Sequence, residues 1–311
     1  MKRAAKSEGV KTMRTIVGTA LLVAILFPAA FAAERTSSGS LDVAKIEKLT
    51  GVKGTLDERE QIFKVSAART DLKVIARGVH ITPPMGLTSW AAFKRAGTET
   101  VVMGDVVLEQ DQVNPVMTVA LDNGLEVTAL HNHFLWESPR VMFMHIGGMG
   151  EEEKLATAVG RVFQKIQETI GVRDQMPTRK IDPDGSTLDP KKLDSILSAK
   201  GDFKDGVYKA TFGRTAQMHG HEIGSMMGVN TWAAFAGSEN EAAVDGDFAM
   251  LESELQGVLK QLRAAGIDVV AIHQHMAGEE PRIMFLHYWA IGKAENLAKG
   301  VRATLDVTKT K

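Results

Sequence analysis

The sequence predicts an α+β protein made of two pseudo-symmetric, duplicated halves, each an antiparallel sheet with packed helices. Three observations carry that expectation. First, the chain repeats itself at a shift of 142 residues. Met85-Gly86-Leu87-Thr88-Ser89-Trp90-Ala91-Ala92-Phe93 lies on Met227-Gly228-Val229-Asn230-Thr231-Trp232-Ala233-Ala234-Phe235, and Pro139-Arg140-Val141-Met142-Phe143-Met144-His145 lies on Pro281-Arg282-Ile283-Met284-Phe285-Leu286-His287. Second, short β-rich runs and amphipathic helices follow in the same order in each repeat. Third, Asp-Gly and Glu-Pro pairs punctuate the strands, as antiparallel connections require.

Residues 1–32 read as a signal peptide. Lys2, Arg3, Lys6, Lys11 and Arg14 form a basic region, Ile16 to Phe27 an apolar run, and Ala30-Phe31-Ala32 a small-x-small cleavage site after Pro28. That places the protein in the periplasm or outside the cell. The full chain has 311 residues, 37 Lys+Arg, 38 Asp+Glu and a net charge of -1; without residues 1–32 it has 32 positive and 37 negative groups, a net charge of -5. Such a balance speaks against nucleic acid or an anionic membrane as partner, and no further stretch is suited to stable membrane insertion. The absence of Cys excludes disulfides, thiolate metal sites and a lipidated N-terminal Cys.

Residues 33–40 are a flexible leader, 41–173 the first repeat, 174–189 a Pro-containing linker and 190–308 the second repeat. In the first repeat a short helix (41–49) precedes strands at 63–67, 74–81, 89–93 and 101–108. A helix over 112–123, strands at 125–131 and 140–146, and a closing helix over 152–170 complete it. The second repeat matches with helices over 190–199, 251–265 and 294–305 and strands at 267–273 and 282–288. Gly124 and Gly266 end the central helices, in the position where a left-handed residue is wanted. Trp90, Phe93, Trp232 and Phe235 are expected to anchor the repeat cores.

Six of the nine histidines occupy equivalent positions. Each half carries His-x-His-x3-Glu-x7-His: His131, His133, Glu137 and His145, then His273, His275, Glu279 and His287. On a strand, residues two apart share a face, so a His-x-His pair can reach one ion. A third imidazole and a carboxylate would complete a set suited to Zn, Mn, Fe or Cu. Whether His145 and His287 join depends on hairpin register, because a slip of one residue moves them to the other face. Glu137 and Glu279 are candidate catalytic bases when not ligands. The same string is also compatible with a hydrogen-bonded structural cluster, or with a metal-free module binding a small molecule or an envelope component.

For that module Arg140 and Arg282 offer anion-binding forks or loop-pinning partners for Glu137 and Glu280, and Trp136 and Trp289 candidate pocket walls. Asp105 and Asp247 follow glycine in a strand and suit a ligand, a histidine-orienting partner or a turn. His219 and His221 belong to the second half alone, with His80 near the equivalent place in the first. Met142, Met144, Met218 and Met276 stand close in sequence to histidines and hint at a soft metal such as copper.

With these residues the chain resembles the bacterial LppY/LpqO family, a domain of unknown function (1259). The carrying segments are 266–276, 279–287 and 124–133, together with Asp205-Gly206-Val207-Tyr208-Lys209 and Asn296-Leu297-Ala298-Lys299-Gly300. The resemblance implies an exported, duplicated protein and brings no activity with it. The His-x-His-x3-Glu string is also similar to the first metal motif of cupins, but a helix directly before each His strand disagrees with a jelly roll. The expectation is an exported metal-binding protein, with metal-activated hydrolysis as the candidate reaction.

Overall fold

A computed structural model describes residues 39–171 and 179–308. The signal peptide expected over 1–32, nearly all of the leader and the first part of the linker lie outside the described residues. The first half runs α1 (Val43–Thr50), β1 (Gly54–Asp57), β2 (Ile62–Ala68), β3 (Ile75–Ala76), β4 (Val79–His80), β5 (Thr88–Ala96), β6 (Glu99–Glu109), α2 (Gln110–Asp122), β7 (Glu126–His131), β8 (Glu137–Ser138), β9 (Val141–Gly150) and α3 (Glu152–Glu168). The second runs α4 (Pro190–Leu197), β10 (Asp202–Lys204), β11 (Val207–Gly213), β12 (Ala216–Met218), β13 (His221–Ile223), β14 (Asn230–Gly237), β15 (Ala242–Leu251), α5 (Leu255–Ala264), β16 (Asp268–His273), β17 (Ile283–Gly292) and α6 (Ala294–Asp306). No helix among the described residues is long and apolar enough to cross a membrane.

The two sheets join edge to edge into one of twelve strands, ordered β1-β2-β5-β6-β9-β7-β16-β17-β15-β14-β11-β10. That order reads the same from either end once repeat equivalents are matched. Leu130 pairs with Ile272 at the seam, and these two are themselves equivalent, so the pseudo-two-fold axis passes between them. Both seam strands carry a bulge, between Val127 and Ala129 and between Val269 and Ala271. A bulge leaves backbone groups without ladder partners. Here each is served by the opposite half: the Asn114 side chain donates to the Val269 carbonyl (3.2 Å) and accepts from its N–H (2.9 Å), while Gln256 does the same for Val127 at 2.9 and 3.0 Å. The seam is thus specified by amides as well as by apolar contact.

The helices cover one face. α3 buries Leu155, Val159, Val162 and Ile166 at helical spacing, and one apolar cluster runs through both halves. Gly160 lets α3 approach α1; a Cβ there would lie 2.1 Å from the Leu49 carbonyl oxygen. An arginine guanidinium, buried in the first half and largely buried in the second, braces each half. Arg69 binds Asp71 (2.8 Å) and the Gln112 side chain (3.1 Å), and Arg214 binds Glu254, which stands at the repeat position of Gln112, at 2.7 Å.

Among the described residues the other face is covered near the strand ends, by β3–β4–β8 over Leu87, Val107 and Phe143 and by β12–β13 over Val229, Ala249 and Phe285, and beside β14 by Ile181 and Pro183. Three expectations are corrected here. The strand over 74–81 is a tight hairpin of two short strands, because Arg77 and Gly78 both adopt positive φ (48° and 86°) and turn the chain back. The helix over 251–265 starts only at Leu255, since β15 continues to Leu251 and the Glu254 carboxylate caps the turn by accepting from the Leu251 N–H at 2.8 Å. Trp90 and Trp232 are not core anchors. They stand three positions from the buried Phe93 and Phe235, an odd offset that puts them on the open face, beneath the ammonium groups of Lys64 (4.0 Å) and Lys209 (4.1 Å).

Candidate metal centre

Register brings the histidines to the open face. In the second half Asp247 stands opposite His287 across β15–β17, Ala271 opposite His287 across β16–β17, and His273 opposite Phe285. Directly opposed residues share a face, so Asp247, His273 and His287 converge. The first half repeats the pattern with Asp105 opposite His145 and His131 opposite Phe143. The offset between His131 and His145 is therefore two residues, an even number, and parity is kept.

In the second half one donor atom from each of Asp247, His273 and His287 lies within 4.8 Å of the others. Asp247 Oδ2 is 3.5 Å from His275 Nε2 and 3.9 Å from His287 Nδ1, and the His273 and His287 ring centroids are 4.6 Å apart. Asp247 Oδ1 and His273 Nε2 are buried without a hydrogen-bond partner, as is Asp105 Oδ1 in the first half. Buried polar atoms are seldom left so, and unpaired polar atoms on a group of three clustered ligand side chains suit an ion. His275 lies just beyond β16, its ring stacked on Phe285 at 3.5 Å, with Nε2 turned toward Asp247.

The first half is a looser version. His131 Nε2 and His145 Nε2 face each other at 3.1 Å, so one donates and the other accepts. Asp105 Oδ2 is 4.0 Å from His145 Nε2, and His133 stacks on Phe143 at 3.4 Å. Among the described residues the three-donor group forms in the second half.

Burial sets the electrostatics. It pushes the Asp247 carboxyl up to about 6, against the pull of His287, and raises Asp105 as well. Burial and neighbouring imidazoles hold His273 below its ordinary value; burial lowers His275 and His133 too. At neutral pH these rings are neutral and have a lone pair available for a metal.

The other sequence candidates are placed as follows. The Glu279 carboxylate is buried and accepts from the Ile283 N–H at 3.0 Å, which ties down the loop before β17. Glu137 has a buried side chain 3.9 Å from Arg140 Nε. Arg282 lies against the Gln274 side-chain amide. Trp136 sits on an exposed loop at a positive φ of 66°, where the second repeat has Gly278 at 82°. Trp289 lies on the open face two residues beyond His287. Met144 is fully buried on the helix side, and Met276 packs beneath β12–β13. His80 and His221 belong to the small hairpins and are exposed.

The carboxylate that meets the imidazoles is thus Asp247, which the sequence offered only as one of several readings. The repeated Gly-Asp, Gly104-Asp105 and Gly246-Asp247, marks the position in the sequence, but only the register sets it opposite a histidine. No curated protein and no solved structure matches the chain at a significant level. The model of one family, described as Domain of Unknown Function (DUF1259), matches twice, over residues 44–165 and 191–307. Those two spans coincide with the two halves, and the chain belongs to the DUF1259 family as a tandem pair of its domain.

Proposed function

We propose that this is an exported metal-binding protein whose working site is the second-half cluster, with Asp247, His273 and His287 holding a divalent transition metal. The observation that carries the reading is the convergence of three donor atoms within 4.8 Å, two of the contributing side chains having buried, unpartnered polar atoms. A two-histidine, one-carboxylate set suits Zn²⁺ or Fe²⁺ and leaves coordination positions for solvent or substrate. Asp247 supplies the anionic oxygen, and His275, held flat on Phe285, orients that carboxylate from 3.5 Å. A metal there would polarise a bound water or substrate oxygen, so hydrolysis of an ester or phosphoester is the reaction class to assay. Export is supported by the basic and apolar segments of residues 1–32.

Titration with Co²⁺, followed by visible d–d absorption, tests the site directly. One equivalent should bind with the band intensity of a low-coordinate site in the wild type. His273→Ala and His287→Ala should each abolish the band. An unchanged spectrum in both variants overturns the proposal.

A further inference from the structure

Next to the cluster the open sheet face is hollowed into a pocket of about 390 Å³, within the ~300–1,000 Å³ typical of small-molecule sites. The two features share a ladder. Asp247 stands opposite His287, and the next rung of the same face has Asp245 opposite Trp289, both lining the pocket. Successive same-face positions on a strand are about 6.6 Å apart. Pocket and cluster are therefore contiguous.

The pocket arises from differences between the repeats. Its floor is Ala234, Ala236 and Ala243, and Trp289 forms a wall. At the equivalent rungs of the first half Met103 faces Gly147 and Val101 faces Met149, so the wall is missing and the floor is larger. The opposite wall, Ile181 and Pro183, comes from the segment joining the repeats. That segment is pinned across the end of β14, where Thr187 N–H donates to the Gly237 carbonyl at 2.8 Å and Ser186 Oγ donates to it at 3.1 Å. Ile181 Cγ2 closes on Gly237 so tightly that a Cβ there would lie 3.2 Å from it.

Charge selects the ligand. Among the described lining residues the cation is Arg179, engaged with Glu241 at 3.3 Å, and Lys209, opposite Ala234, holds its ammonium over Trp232 at 4.1 Å. Asp245 and Asp247 lie on one face of one strand, opposite Trp289 and His287. Apolar walls with a surplus of negative charge favour an apolar body bearing one positive charge, and an indole ring attracts a cation over its face.

We infer that this pocket binds a small organic ammonium compound, its aromatic or branched body between Trp289 and the alanine floor and its amine paired with Asp245. The inference adds a ligand class to the face that carries the metal reading, yet its ground is the pocket, so it is tested on metal-free protein. Calorimetric titration of chelator-treated protein would use tryptamine and phenethylamine, beside 3-indolepropionate and phenylpropionate as anions of the same body. Both amines should bind saturably at one site, with the acids at least about tenfold weaker. Asp245→Asn should weaken the amines about tenfold. Trp289→Gly, which installs the first-half residue, and Ala243→Phe, which fills the floor, should each abolish binding in proteins whose circular dichroism is unchanged. No saturable heat with either amine, acids binding as well as amines, or an Asp245→Asn variant with unaltered affinity overturns the inference. Amine binding without metal binding would refute only the metal reading, and metal binding without amine binding only this one.

Discussion

Asp247→Asn should stabilise the metal-free protein at neutral pH, although it removes a ligand. Asp247 is 3% exposed, and its Oδ1 has no hydrogen-bond partner. Burial raises its carboxyl from the ordinary 3.8 to about 6. The native state therefore holds the proton more tightly than the unfolded chain. The stability associated with the neutral carboxyl is fully present below about pH 4 and is lost as pH rises through 6. At 1.36 kcal/mol per pH unit, the loss by pH 7–8 is about 3 kcal/mol. Asn carries no charge and keeps an oxygen for the Leu286 backbone, so the variant should escape this loss. Urea unfolding with a chelator present should show variant and wild type alike near pH 4, with the variant ahead by about 2–3 kcal/mol at pH 8. Zn²⁺ at 1,000 times Kd should then reverse the order, because only the wild type gains binding energy, about 4.1 kcal/mol. A variant less stable than the wild type at pH 8, or a difference that does not change with pH, would refute the reasoning.

Four further outcomes follow. Metal affinity should rise between pH 5 and pH 7, because Asp247 must lose the proton that burial helps it keep; competition with a chromogenic chelator reads this, and a flat profile would remove Asp247 from the ligand set. Trp136→Gly should stabilise by about 1 kcal/mol in urea unfolding, since the exposed Trp136 occupies a left-handed conformation that Gly278 takes in the other repeat; a loss of similar size would mean the indole is packed. Gln256→Ala and Asn114→Ala should each cost about 1–2 kcal/mol and by similar amounts, because each amide serves two backbone groups across the seam. Gly160→Ala should destabilise despite alanine's better helix propensity, by at least about 2 kcal/mol, since its Cβ would meet the Leu49 carbonyl at 2.1 Å.

Much of the fold was legible because duplication doubles every signal. A Gly after a helix is weak once, but Gly124 and Gly266 at equivalent places identify the helix ends together, and both adopt positive φ. The His strings likewise marked the strands that carry the cluster. The fusion of two sheets into one was not legible. It depends on the Leu130–Ile272 pairing and on amides from α2 and α5, contacts between residues more than 120 positions apart with no local pattern. Register was hidden as well, because the loop between β7 and β9 can hold either parity while the composition stays the same. Asp247 needed that register before it could be told from a turn residue. The pocket wall came from Ile181 and Pro183, in a stretch whose prolines and Asp-Gly pair read only as a linker.

The most direct measurement is the metal content, by mass spectrometry, of the untagged protein purified without added metal, beside a His273→Ala/His287→Ala variant. The account predicts close to one equivalent of a transition metal in the wild type and its loss in the variant, while a His131→Ala/His145→Ala variant retains most of it. A wild type without metal that also fails to take up Zn²⁺, Fe²⁺, Mn²⁺ or Cu²⁺ on reconstitution would contradict the account, as would a metal content that survives in the His273→Ala/His287→Ala protein.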